Sequence, residues 1–481
     1  MTRGSLDPAD WEPFRRLLHD AVDGVIDDLA AVRETGAWRP VPDAVKAALR
    51  EPLPRGGEPL HATYARFAEL IRSYPTGNQH PRFFGWVHGA GTPAGVLAEL
   101  LAAGMNANVG GREHAAVYVE RAVIAWFIEL FCFPSTASGI LTSGTSMGNL
   151  LAVVAAREAA QRTHDDDPNV TSQLTAYASA GVHDSVAKAL RIAGLERGAL
   201  RSIAVDRTGA MDLGALRERI ADDRRAGKKP FLIVATAGSV DRGAFDPVGE
   251  LADLCAAERL WLHVDGAYGA LAICSPSHAH LVAGIERADS LAFDAHKWLQ
   301  APYAVGCVLF RDERAHRDAF ASTPDYLVRA ERGAAAGAPW FADYGLELSR
   351  EFRALKVWFT LRHYGIDRLG AAIGRTCELA AALGRQVEAH VELELLAPVT
   401  LNVVCFRYVR PGATGAELDA LNNAIAIEVQ ERGEAVPSTT RIDGRRALRA
   451  CIINHRTNHD DVDALVRSVV DAGRAIAATH V

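Results

Sequence analysis

Asp289-Ser290-Leu291-Ala292-Phe293-Asp294-Ala295-His296-Lys297-Trp298-Leu299 is the stretch that decides how the rest of the chain is read. An apolar run from Ser290 to Phe293 has the pattern of a buried strand. A polar turn follows, and then one lysine between His296 and Trp298. A lysine at the end of a strand, beside an indole, sits in a partly desolvated pocket. Burial there disfavours the ammonium and frees the amine as a nucleophile. A lysine after a strand is more often a surface residue. This chain, however, carries few lysines compared with arginines, so Lys297 is not part of a general surface lawn.

Outward from that stretch, between Gly139 and about Arg311, strand-like runs alternate with helical ones. Strands are expected at 174–179, 202–206, 231–238, 261–265, 290–293 and 305–310. Helices are expected at 184–193, 212–226 and 246–257, the last started by Asp246 as cap and Pro247 in its first turn, with a supporting role at a ligand site the lesser reading of Asp246. This rhythm predicts a mostly parallel sheet covered on both faces, with ligands beyond the carboxyl ends of its strands.

The polar motifs fall at those ends. Trp261-Leu262-His263-Val264-Asp265-Gly266-Ala267-Tyr268 closes a buried strand with a carboxylate, which is costly unless it is paired. A protonated pyridine nitrogen is a partner that would justify Asp265, and the ion pair would keep the ring an electron sink. No metal role is expected for Asp265. Leu141-Thr142-Ser143-Gly144-Thr145-Ser146-Met147-Gly148-Asn149 precedes an apolar helix. Such a start leaves N–H groups free for an anion, although simple capping is the commoner meaning of such a motif taken alone. It is not a Walker loop, since no Gly-Lys-Ser/Thr follows. His183 and Asp184 come just past one strand, where Asp184 is suited to cap the next helix, and Ala235-Thr236-Ala237-Gly238-Ser239 ends another. Asp265 and Lys297, on separate strand ends, together point to pyridoxal phosphate.

Asp294-Ala295-His296-Lys297-Trp298-Leu299 resembles the lysine signature of the group II pyridoxal-phosphate decarboxylases, a family that includes aromatic-L-amino-acid, histidine and glutamate decarboxylases. The resemblance runs by motif from about His80 to about Asn458. It implies fold type I and covalent cofactor attachment at Lys297. It also implies phosphate contacts from Thr145, Ser146 and His296, His183 stacked on the pyridine ring, Ala267 on the opposite face, and Thr236 touching the ring. By the same resemblance Trp86, Val87 and His88, with Val109, Gly111 and Arg112, line the substrate side-chain pocket. Gly111 would make that pocket roomier than in animal relatives. Arg350 matches a residue near the phosphate or the neighbouring subunit, though a helix-surface salt bridge suits it as well. Many members have Asn-Pro where this chain has Asp294-Ala295. A carboxylate beside a phosphate is electrostatically awkward, so Asp294 is expected to point away.

Three units are expected: an N-terminal helical segment over 1–92, a large cofactor domain over 93–368, and a small α+β domain over 369–481. Trp11, Phe14, Leu17, Leu18, Val22, Val25, Ile26 and Leu29 recur at helical spacing. The resemblance places such a helix on a partner subunit, in a homodimer whose active sites are shared. Packing on its own domain remains the other reading. Residues 321–345, rich in Ala, Gly, Pro and charge, read as a mobile loop. Within it Tyr326 matches the family's catalytic tyrosine, a proton donor to Cα once closure excludes water. Family members that act as aldehyde synthases have phenylalanine there.

The chain has 481 residues, of which 49% are hydrophobic and 23% charged, and a net charge of −7. That balance argues against nucleic-acid and membrane-surface partners. Seven scattered cysteines without a Cys-x-x-Cys fit reduced thiols in the cytoplasm. Neither a secretory leader nor a membrane span is expected, and no metal site is expected. The expected activity is decarboxylation of an L-amino acid. Trp86 favours an aromatic side chain, while His88 and Arg112 leave a polar or acidic one open. An aminotransferase or a carbon–sulfur lyase would use the same Asp265 and Lys297. An oxidative aldehyde synthase is the other alternative, and a binding protein would need no cofactor.

Overall fold

In the computed structural model, which describes residues 5–164, 167, 169–322 and 329–479, one large mixed sheet carries the motifs. Its strands are β1 (Ser138–Thr142), β2 (Leu174–Ser179), β3 (Leu200–Ile203), β4 (Lys229–Thr236), β5 (Trp261–Asp265), β6 (Ser290–Asp294) and β7 (Gly306–Phe310). They lie in the order β1-β7-β6-β5-β4-β2-β3. All pairings from β6 through β3 are parallel, and β7 runs antiparallel to both of its neighbours. β1, β2, β6 and β7 are buried along their whole length, as helices on both faces require. The parallel rule therefore brings the ends of β2, β4, β5 and β6 to one edge of the sheet, and the β1–helix turn joins them there.

Sequence periodicity placed β2 and β5 to the residue and the other four expected strands of this sheet within a few residues. It missed β1, a five-residue run containing glycine that pairs with a strand far along the chain, Ser138 opposite Phe310. Asp246 does not cap the helix Val248–Glu258, which starts at Pro247 without a side-chain cap. Its carboxylate accepts instead from Thr236 N and Met211 N, each at 2.7 Å. Asp184 does not cap either. His183 caps the helix Asp184–Ile192 through its own ring nitrogen, and Asp184 pairs with Lys188 on the surface.

A second sheet, in the order β10-β11-β9-β8, is antiparallel: β8 (Leu393–Leu395), β9 (Val403–Tyr408), β10 (Ser438–Ile442) and β11 (Arg445–Cys451). Helices Ile366–Ala389, Gly415–Glu431 and His459–Thr479 cover it around a separate apolar core that includes Leu383, Phe406, Ile425 and Leu465. Phe84, from the N-terminal part of the chain, belongs to this core, and its backbone bonds to Val436 and Cys451. The 78–86 segment is thus stitched to the small sheet, and His88 just beyond it meets Tyr303. The helix Trp11–Ala30 buries none of its residues. Residues 340–344 are packed rather than loose: Trp340, Phe341, Asp343 and Tyr344 are buried, because their rings fill space beside the helix Glu313–Phe320 and Gly111. Among the described residues, no helix is long and apolar enough to cross a membrane, and no group of three or more His, Cys, Asp and Glu is placed to hold a metal.

Candidate active site

Three strand ends build the floor of the site. Thr236 pairs with Asp265 across β4 and β5, and Asp265 with Ala292 across β5 and β6. Lys297 follows β6 by one turn, its Nζ 2.9 Å from Asp294 Oδ2. Trp298 turns away from the amine; it is buried against Tyr268, with its indole N–H donating to Thr376. His296 is pinned through Nδ1, 2.9 Å from Val305 O, and burial pulls its imidazole below the usual range.

Asp294 does not point away. Its Oδ1 accepts from Thr145 N at 2.7 Å while Oδ2 holds Lys297. The carboxylate lies at the positive start of the helix Thr145–Thr163 and beside an ammonium, so its charge is balanced from two sides. Gly306 permits this: a Cβ there would lie 2.8 Å from Asp294 Oδ1.

Asp265 is buried, and burial pushes its carboxyl above the usual carboxylate range. A donated bond from Asn149 Nδ2 at 2.8 Å and the charges of Lys297 and His183 act the other way. Oδ1 receives only a 3.3 Å bond from Ala267 N, so it retains capacity for a further donor. His183 is exposed at the edge, and Ala267, half-buried, accepts from Asp294 N.

Arg350 makes no helix-surface salt bridge. It is fully buried with Glu120, Nη2 to Oε1 at 2.6 Å, and it also donates to Leu141 O and Val109 O. It clamps β1 to the Val109 loop from below, since a charge there needs an acid and carbonyls to replace water. Gly111 does not open a pocket: a Cβ on it would meet the Trp340 ring at 2.4 Å, so the indole occupies that space. Val109 and Val87 are core residues, and Arg112 is exposed with φ 79°. His88 reaches the lysine turn, where it meets Tyr303, whereas Trp86 stacks on His88 and its backbone is held by Ser438 and Arg449. Gly89, just beyond them, packs so closely that a Cβ would lie 2.1 Å from His296 O. His88 stacks on Phe83 (5.7 Å, 11°) and Trp86 (5.7 Å), and meets Tyr303 edge-on. Tyr303 continues to His296 at 4.4 Å.

Tyr303 escaped the sequence reading. The signal was an aromatic residue shortly after the lysine, in Ala301-Pro302-Tyr303. Lys356, buried, was also missed; it ion-pairs with Glu99 and donates to Tyr303 O at 3.3 Å. Tyr326 lies outside the described residues.

Two hydroxyls test whether a phosphate-bearing pyridine fits here. Thr145 Oγ1 and Thr236 Oγ1 are buried without a hydrogen-bond partner, one at the helix start and one beside Asp265. Buried polar atoms are normally paired, and a ligand with a phosphate at one end and a ring at the other would satisfy both. Ser146 is exposed beside Thr145. A lysine and a carboxylate on adjacent strand ends, below a helix start, define a fold type I pyridoxal-phosphate site.

Comparison with known proteins narrows the class. The family model described as the pyridoxal-dependent decarboxylase conserved domain matches residues 42–409, and the chain belongs to that family. An aromatic-L-amino-acid decarboxylase of Bacillus atrophaeus is 34% identical over 98% of this chain and 97% of its own. An L-2,4-diaminobutyrate decarboxylase of Rhizobium meliloti (strain 1021) is 31% identical over 97% of this chain and 93% of its own. A crystal structure of Oryza sativa TDC with PLP and tryptamine superposes with a TM-score of 0.90 at 26% identity, covering 98% of this chain and 100% of that one. The protein is a pyridoxal-phosphate-dependent amino acid decarboxylase.

Proposed function

We propose that the substrate is an aromatic L-amino acid, released as its amine with carbon dioxide. The observation that carries this reading is the run of rings Phe83, Trp86, His88 and Tyr303 leading to His296 beside Lys297. Flat rings at these spacings favour a flat side chain. Burial first, and then the charges of Lys297 and His296, hold the His88 imidazole below its usual pKa. It is therefore neutral at pH 7 and offers no charge to an acidic side chain.

Pyridoxal phosphate, when bound, draws off the electron pair left at Cα as the carboxylate departs. Lys297 would attach the cofactor through its amine. Asp265 would keep the pyridine nitrogen protonated, Thr236 would contact the ring, and His183 and Ala267 would hold it from either side. Thr145, Ser146 and His296 take the phosphate, the Thr145 hydroxyl gaining the partner it lacks within the protein. Tyr326 returns a proton to Cα, which favours amine over aldehyde.

The working unit in this reading is a cytoplasmic homodimer. Trp11 and Ile26 on the first helix are 56% exposed, and Leu97 and Met105 on a second helix are 50% and 55% exposed. A second copy of the chain would cover such apolar surface. All seven cysteines are free thiols, which suits a reducing compartment.

The test is a panel of L-amino acids, including tryptophan, tyrosine, phenylalanine, histidine, glutamate and 2,4-diaminobutyrate. Amine, carbon dioxide and peroxide are measured together, with the mass in solution read by light scattering. Equimolar amine and carbon dioxide, highest for an aromatic substrate, is the expected result. Preference for diaminobutyrate or glutamate would overturn the substrate. Peroxide as a main product would move the activity to an aldehyde synthase.

A further inference from the structure

Behind Asp265 lies a buried polar chain that none of the assigned roles uses. Asn149, on the helix Thr145–Thr163, is fully buried. Its Nδ2 donates to Asp265 Oδ2 at 2.8 Å and to Ser185 Oγ at 3.0 Å. Its Oδ1 lies 2.9 Å from His263 Nε2. His263 Nδ1 in turn lies 2.9 Å from Ser290 Oγ, which also receives the Trp261 indole N–H at 2.9 Å. On the other arm Ser185 Oγ lies 2.8 Å from His183 Nδ1.

The donor and acceptor inventory fixes the direction of every link. An ionised Asp265 accepts only, so the amide nitrogen of Asn149 must face it. The amide oxygen then faces His263, whose Nε2 must carry the proton, which makes Nδ1 the acceptor from Ser290. Burial holds the His263 imidazole neutral, its pKa pushed down to about 4. The second amide hydrogen is spent on Ser185, so the Ser185 hydroxyl donates onward to His183 Nδ1, as does Ser185 N at 3.2 Å. The ring of His183 is thereby left with Nε2 as its protonated position.

We propose that Asn149 is a positioning residue that locks Asp265 and His183 into one unit and holds Asp265 ionised toward the cofactor. No other side chain of this size supplies two donors and one acceptor at these points. An aspartate would lose both donors, and an alanine would orphan three partners in a dry interior. The proposal rests on the assignment of Asp265 to the pyridine nitrogen.

The experiment compares Asn149→Ala, Asn149→Asp, Asp265→Asn and Asn422→Ala with wild type, all loaded with pyridoxal phosphate. Asn422 is the control. It is equally buried and makes the same three bonds, to Tyr408 N, Tyr408 O and Leu418 O, but in the small domain. The readouts are the Kd for pyridoxal phosphate, the pH midpoint of its visible absorption band, and Tm. Both Asn149 variants are expected to weaken cofactor binding at least tenfold and to move the midpoint upward by at least half a pH unit. Asn422→Ala should lower Tm and leave both cofactor readouts alone. Wild-type Kd and midpoint in either folded Asn149 variant would overturn the proposal. So would failure of both to fold, which would assign Asn149 the purely structural role of Asn422. An Asp265→Asn protein with unchanged Kd and midpoint would instead remove Asp265 from the cofactor, and the underlying assignment with it.

Discussion

Around Asp265 the polar groups are buried and paired, whereas beyond the lysine turn Trp86 and Tyr303 flank a stacked His88 and stand in the open. Asp265, Asn149 and His263 are 4%, 0% and 0% exposed, while Trp86 and Tyr303 are 53% and 47% exposed. The first region is set by strand ends and one helix start, so its geometry is complete within a single chain. The second hangs on the 78–89 segment, which is held from behind by the small domain through Asn454 and Thr457. The floor is built for one cofactor chemistry. The mouth is where the proposed reading places the substrate side chain.

Substitution at the floor should therefore be severe in rate, and at the mouth mild and substrate-dependent. In the proposed reading, Asp265→Asn removes the charge that keeps the pyridine nitrogen protonated. Turnover of the cofactor-loaded variant should fall by roughly two to three orders of magnitude, the scale of losing one preorganised electrostatic contact. Near wild-type turnover would dissolve the distinction between floor and mouth.

The next largest effect is one of pH. His263 is neutral and buried in the fold, where burial pushes its pKa from an ordinary 6.5 down to about 4. Its folded pKa is depressed, so the stability it contributes is complete above about 6.5 and is lost as pH falls toward 4. The stability gap between wild type and His263→Gln should narrow across that window by on the order of 3 kcal/mol. Chemical denaturation at several pH values measures it. A gap that does not change with pH would mean that His263 is not held neutral. Taking the difference between the two proteins cancels Asp246, whose carboxyl burial pushes up to about 6 and which acts in the opposite sense.

The smallest effect is at the mouth. Trp86→Ala should raise KM for an aromatic substrate by about tenfold, the worth of one aromatic pair, and leave kcat nearly unchanged. An equal rise for a non-aromatic substrate would show that Trp86 only supports the fold.

The same contrast separates what was legible in the sequence from what was not. Thr236, Asp265 and Lys297 end apolar runs, and period-two burial with parallel packing brings such ends together. Asp294 defeated the reading because its direction depends on Thr145 N, brought in by a helix far away in sequence. A helix-surface salt bridge was one of two readings for Arg350 and a helix cap the favoured one for Asp246, but both side chains are satisfied by partners on other elements. Gly111 was read as open space because the sequence does not reveal that Trp340 fills it. Strands β8 and β10 were missed for a related reason: one is three residues long, and the other, Ser438–Ile442, is mostly polar on the edge of its sheet.

The most direct test of the floor is to reduce the cofactor-loaded protein with borohydride and map the adduct by mass spectrometry. Lys297 and Lys356 are both largely buried lysines, with side chains 19% and 5% exposed. Only Lys297 stands at the end of β6 beside Asp294; Lys356 is committed to Glu99. A single pyridoxyl adduct on Lys297 is the expected result. An adduct on Lys356 or any other lysine, or none at all, would contradict the assignment on which the site is built.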